Sequence, residues 1–127
     1  MRHFLLIVAG VNGLAATAIG AVAQHLWAGD AGARMLVETG VRYALPHAAV
    51  LVALAAFPAP STDRPRRLHG AAAISLAVGT TLFSGGVFAL AAGAGAAVAA
   101  IVPAGGSLMI LGWVLLLAFA LALVRRP

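Results

Sequence analysis

The side chains best able to do chemistry together are His25, Glu38, Arg42, Tyr43 and His47, which fall in one stretch of the chain. Arg34, Glu38 and Arg42 recur every four residues, as do Tyr43 and His47, so helical geometry would place each set on one face. Imidazole, phenol, carboxylate and guanidinium groups in a polar pocket would suit a lipid headgroup, a quinone or a proton. The simpler reading, and the preferred one, is a hydrogen-bonded network that ties a surface helix to the rest of the fold. Two histidines with Glu38 or Asp30 could in principle ligate zinc or copper. No HxxxH or HxH spacing brings two such ligands together, and there is no cysteine, so no metal site is expected. The chain has no GxSxG nucleophile motif, no phosphate-binding glycine loop with its lysine, and three acidic residues in all. Catalytic residues, a cofactor and an enzymatic role are therefore not expected.

The elements that must position these groups are apolar. Of 127 residues 63% are hydrophobic and 9% are charged, where a soluble domain would carry about a quarter charged. Four apolar stretches, about 4–23, 41–57, 71–92 and 98–124, each approach the ~20 residues needed to cross a hydrocarbon core in helical form. The expected fold is all-α: one integral membrane domain over 1–127, a four-helix transmembrane bundle with a short amphipathic helix in the first outer loop. Asp30 is placed to cap that loop helix, with the Arg34–Glu38–Arg42 ladder along it, and the short apolar run after Arg42 leaves open that the helix continues into the second span. Pro46 and Pro103 mark either helix starts or bends.

All of the basic charge comes from eight arginines, which outweigh three acidic residues to give a net charge of +5. The arginines flank apolar segments and form no stripe interleaved with aromatics, so nucleic acid is not an expected partner. Arg2, Arg64, Arg66, Arg67, Arg125 and Arg126 fall on one side of a four-span chain, against Arg34 and Arg42 on the other. Basic residues stay cytoplasmic, so both termini are expected inside, and His25 and His47 near the outer face. Met1–Ala23 also has the outline of a signal peptide. Its apolar run is longer than a signal core, and Ala9, Gly13, Thr17 and Ala21 recur every four positions as a packing stripe, which favours a retained span. Gly85, Gly86, Gly105 and Gly106 are further helix-packing candidates. Trp27 looks interfacial, while Trp113 lies deeper than an aromatic belt would place it.

Four local patterns occur in order: Gly20-Ala21-Val22-Ala23-Gln24-His25; Thr39-Gly40-Val41-Arg42-Tyr43 followed by His47; Leu82-Phe83-Ser84-Gly85-Gly86; and Pro103-Ala104-Gly105-Gly106 with Gly112-Trp113. Together they resemble the domain of unknown function 423 family of YgdD-like bacterial inner-membrane proteins, to which transmembrane protein 256 is similar. Two departures are Gln24, where a small residue is usual, and Leu45-Pro46 before His47. The resemblance implies a small four-span protein of the cell inner membrane with no established biochemical role, and it brings no catalytic residues. The expected function is that of a non-enzymatic accessory or structural membrane protein. It would act in the lipid bilayer through helix–helix contacts with itself or a larger complex. The alternative is a minimal transporter, channel or small-molecule carrier using the outward pocket around His25 and His47.

Overall fold

The computed structural model describes residues 1–58 and 60–124, apart from the side chain of Gln24. Arg125 and Arg126, which enter the charge argument, lie outside the described residues. Four helices follow in order: α1 (Arg2–Leu26), α2 (Ala31–Ala56), α3 (Asp63–Ala91) and α4 (Ala96–Val124). Each is long and apolar enough to cross a membrane. The fold is an all-α four-helix transmembrane bundle, as expected.

The amphipathic loop helix is not a separate element. The Asp30 carboxylate accepts from the Ala33 amide at 2.9 Å, and the helix it caps runs without a break into the apolar segment. The reason is visible in its buried face. Ala33, Val37, Gly40, Ala44, His47, Leu51 and Leu54 alternate by four and three residues, one continuous stripe against the neighbouring helices. The connection between α1 and α2 therefore shrinks to Trp27–Asp30. Pro46 sits inside this helix on its exposed side, so the Arg42 carbonyl lacks its usual amide donor without the helix ending. Pro103 is likewise interior to α4. No ion pair joins Glu38 to Arg34 or Arg42 among the described residues, so the expected ladder does not form. Asp63 and Arg66 do pair, at 2.6 Å, but in an exposed position where such a bond contributes little.

The connection between α3 and α4, Ala92–Gly95, is as short as the one between α1 and α2. The Gly93 amide reaches the Leu90 carbonyl at 3.0 Å and the Ala94 amide reaches Ala89 at 2.9 Å, with Gly93 at φ +91°. This is the Schellman pattern of helix termination, which requires a left-handed residue that glycine adopts without strain.

α3 is the hub and packs on each of the other three helices. Two apolar clusters form the core. Leu5, Leu51, Leu54 and Leu76 fill one end, and Val37, Ala44 and Phe88 the other. α4 joins the bundle chiefly through α3, by a backbone-to-backbone crossing. A Cβ on Gly105 would lie 2.5 Å from the Phe83 amide nitrogen and 3.0 Å from the Gly79 carbonyl oxygen. One on Gly79 would lie 2.7 Å from the Met109 amide, and one on Gly112 would lie 2.6 Å from Leu76. Gly79 and Gly86 are two turns apart on α3, as Gly105 and Gly112 are on α4, so both helices present a glycine row at one register. Without water to drive association, helices in lipid gain their contact through such close approach. The other face of α4, including Ile110, Val114, Leu117 and Leu121, is exposed and apolar, as a lipid-facing surface must be.

Gly105→Ala should push α3 and α4 apart, because the added methyl meets the backbone of α3. The expected loss is about 1–3 kcal/mol, typical of overpacking. Gly85→Ala, with open space at its Cβ, should leave stability unchanged. Denaturation followed by circular dichroism in mixed micelles measures both.

Candidate functional site

The five residues read as one outward pocket separate in the structure. His25 is exposed on the last turn of α1. Glu38 and Arg42 line an open groove of about 510 Å³ between α1 and α2, together with Thr17, Gly20, Ala21 and Val41. Tyr43 and His47 face the other way, toward α3 and α4. The early start of α2 accounts for the division. His47 lies sixteen residues along that helix, about 24 Å below Ala31 at 1.5 Å per residue. It is therefore deep in the bundle and far from the end of α1.

At that depth His47 is buried and both ring nitrogens have partners. Nδ1 lies 2.8 Å from the Tyr43 carbonyl oxygen, and the Trp113 indole nitrogen lies 3.1 Å from Nε2. A carbonyl can only accept and an indole N–H can only donate. The ring is thus the tautomer with hydrogen on Nδ1 and a lone pair on Nε2. The Tyr43 bond sits one residue past the carbonyl freed by Pro46, where the helical ladder is already open. Trp113 also meets the imidazole edge-on, with centroids 5.8 Å apart, and Tyr43 meets Phe83 edge-on at 5.0 Å. The unusual depth of Trp113 follows: its polar atom is held by α2, and the rest of the indole faces lipid. Tyr43, His47, Phe83, Gly106, Met109, Ile110 and Trp113 enclose about 200 Å³. Organic ligands of drug size occupy about 300–1,000 Å³, and both imidazole nitrogens are already engaged. The arrangement ties α2 to α4.

Two further polar contacts work in the same way. Asn12 on α1 donates to Thr81 of α3 and to the Val8 carbonyl, both at 2.9 Å, and Thr81 donates to Ala77 at 2.9 Å. His69 on α3 reaches the Leu54 carbonyl of α2 at 3.1 Å. Asn12, His69 and Trp113 were not singled out as a group by sequence reasoning. Their partners lie on other helices, and only the apolar setting of Asn12 and Trp113 hinted at a need for one. Ser84 is fully buried on α3, and its hydroxyl, like that of Thr80, has no hydrogen-bond partner among the described residues. No three metal-ligating side chains cluster among the described residues.

The packing candidates are scattered. Ala9 is buried. Gly13 approaches Ala48 of α2, with 4.0 Å between their Cβ positions. Thr17 and Ala21 line the α1–α2 groove. Gly86 meets Val102, and Gly106 contacts the Phe83 ring at ordinary distance. Gly40, Gly79 and Gly112 were missed. Gly40 faces the ring of Phe88, and the seven-residue spacing of Gly79 to Gly86 and of Gly105 to Gly112 was the available signal.

Comparison with known proteins agrees with this architecture. The chain is 31% identical over 129 aligned positions to the UPF0382 inner membrane protein YgdD of Escherichia coli, covering 98% of this chain and 94% of that protein. The YgdD protein of Shigella flexneri matches equally. A UPF0382 membrane protein of Haemophilus influenzae is 30% identical, covering 90% of each chain. No solved structure matches. The family model described as protein of unknown function (DUF423) matches residues 19–106. Four apolar helices, the register of the four motifs and these relatives lead to one assignment: the chain belongs to the DUF423 family.

Proposed function

We propose that the chain is a non-enzymatic accessory or structural protein of the bacterial inner membrane, acting through helix contacts with itself or a larger complex. The observation that carries this reading is the engagement of His47. Its Nε2 accepts from Trp113 of α4 while Nδ1 is held by the Tyr43 carbonyl of its own helix, so the imidazole at the one place where catalysis could have been expected serves to fix the helices. The relatives are named as inner-membrane and membrane proteins, which supports the location. The arginine bias supports an orientation with both termini cytoplasmic. The surface left for a partner is the apolar outer face of α4 and the small-residue side of α1 beside Glu38 and Arg42.

Blue-native electrophoresis of gently solubilised membranes should give a species well above the 12.7 kDa of one chain. A lone monomer under every mild condition overturns the proposal. The absence of cysteine gives a clean background for labelling. A cysteine at Ala28 should react with an impermeant maleimide from outside intact cells, and one at Ser61 only after the membrane is opened. Replacing His47 and Trp113 singly and together by Phe should reveal a coupling of about 0.6 kcal/mol, with ~1.7 as a ceiling for bonds of this kind. Cellular function should fall only as far as stability does. Lost function in a stably folded His47→Phe protein would instead favour a chemical role for the imidazole.

A further inference from the structure

The arginine-rich end of the bundle holds a second cavity, distant from His47. It has a volume of about 410 Å³ and opens between the start of α1, the end of α2 and the first turns of α3. Leu5, Leu54 and Phe57 supply an apolar wall, Arg2 contributes a guanidinium, and His69 lines it from α3.

His69 is 2% exposed. The Leu54 carbonyl accepts, so Nε2 of His69 carries the hydrogen of that 3.1 Å bond. In the neutral ring Nδ1 then holds a lone pair, and this buried atom has no hydrogen-bond partner among the described residues. Buried polar atoms are nearly always bonded, and this exception belongs to a residue that lines the cavity. The second feature is positive potential. α1 begins at Arg2, so the first amides of that helix have no helical acceptor and its positive dipole end stands beside the guanidinium. Arg64 and Arg67 lie at the start of α3, at the same end of the bundle. His69 is six residues in from Asp63, about 9 Å along the axis. Each head-group layer is about 5–7 Å deep, which puts the imidazole near the boundary between head groups and acyl chains.

A phosphate suits Arg2 and the amides of α1. A donor held close to that phosphate suits the lone pair of His69, and the apolar wall suits the glycerol end of an acyl chain. We propose that this cavity binds the head group of a glycerophospholipid with a hydrogen-bond donor beside its phosphate: the hydroxyls of phosphatidylglycerol or the ammonium of phosphatidylethanolamine. Basic hollows between membrane helices are suited to lipid phosphates in general. The unpartnered imidazole nitrogen adds selectivity for the donor. This site uses neither the outer face of α4 nor the α1–α2 groove, so it stands apart from the contact role proposed above.

Native mass spectrometry of the full chain in detergent, with added lipid, tests it. Phosphatidylcholine has the same phosphate and no donor on its head group. Phosphatidylglycerol or phosphatidylethanolamine should be retained roughly threefold to tenfold better than phosphatidylcholine, the effect of about one hydrogen bond. His69→Phe should abolish that preference. His69→Gln, whose amide can donate to Leu54 and accept from the lipid, should keep it. Arg2→Gln should weaken all three lipids together. Equal retention of the three by the native chain overturns the proposal, as does a preference that survives in His69→Phe. Inorganic phosphate displacing the bound lipid at equal concentration also overturns it, since the site would then take a free anion.

Discussion

A polar side chain in hydrocarbon has no water to turn to, so it must find its partner inside the protein. That constraint organises this bundle. Asn12 reaches from α1 to α3, His47 receives from α4 while held by its own helix, and His69 reaches from α3 to α2. Each bond joins a different pair of helices. Apolar packing alone gives weak preference for one rotation of a helix over another in lipid. A side chain that must be bonded selects the rotation that supplies its partner. The glycine crossing of α3 and α4 then sets the distance at which those partners meet.

The division of labour between helices follows. α1, α2 and α3 share the two apolar clusters, and α4 lies against α3 with one narrow face. The contact with α3 is close along its whole length. Gly105 and Gly112 let backbone meet backbone, and Trp113 beside them adds the bond to His47. The same residues explain why the cavity around Tyr43 and His47 stays small: the close approach of α4 leaves little to enclose.

The helices were legible because composition and period are local properties. Apolar runs of membrane length, the Asp30 cap and the breaks at Pro58 and Gly93 can all be read from neighbouring residues. The upper half of α2 was harder. Glu38 and Arg42 made it look like a surface element, and only the four-three alternation through Gly40 and His47 revealed a continuous buried face. The candidate site was legible as a set of reactive types and not as an arrangement. Whether His47 faces His25 or Trp113 depends on the axial register of helices distant in sequence, and no local pattern encodes that register. The same holds for His69, whose burial against Leu54 depends on the register of α2 and α3. Glycines misled in the opposite direction. Gly85 stood out for its doublet and meets nothing, whereas Gly79 stood alone and lies where α3 and α4 come closest.

The short Ala92–Gly95 turn has a consequence for how the molecule is made. From Gly70 to Val124 the chain has no ionisable side chain, and the turn closes its helix end with its own backbone bonds. With both termini cytoplasmic, as proposed, the tip of this hairpin traverses the bilayer during biogenesis carrying no charge and little unsatisfied backbone. α3 and α4 can enter as a joined pair, already in register along their glycine rows, and offer a ready template on which the two earlier helices settle.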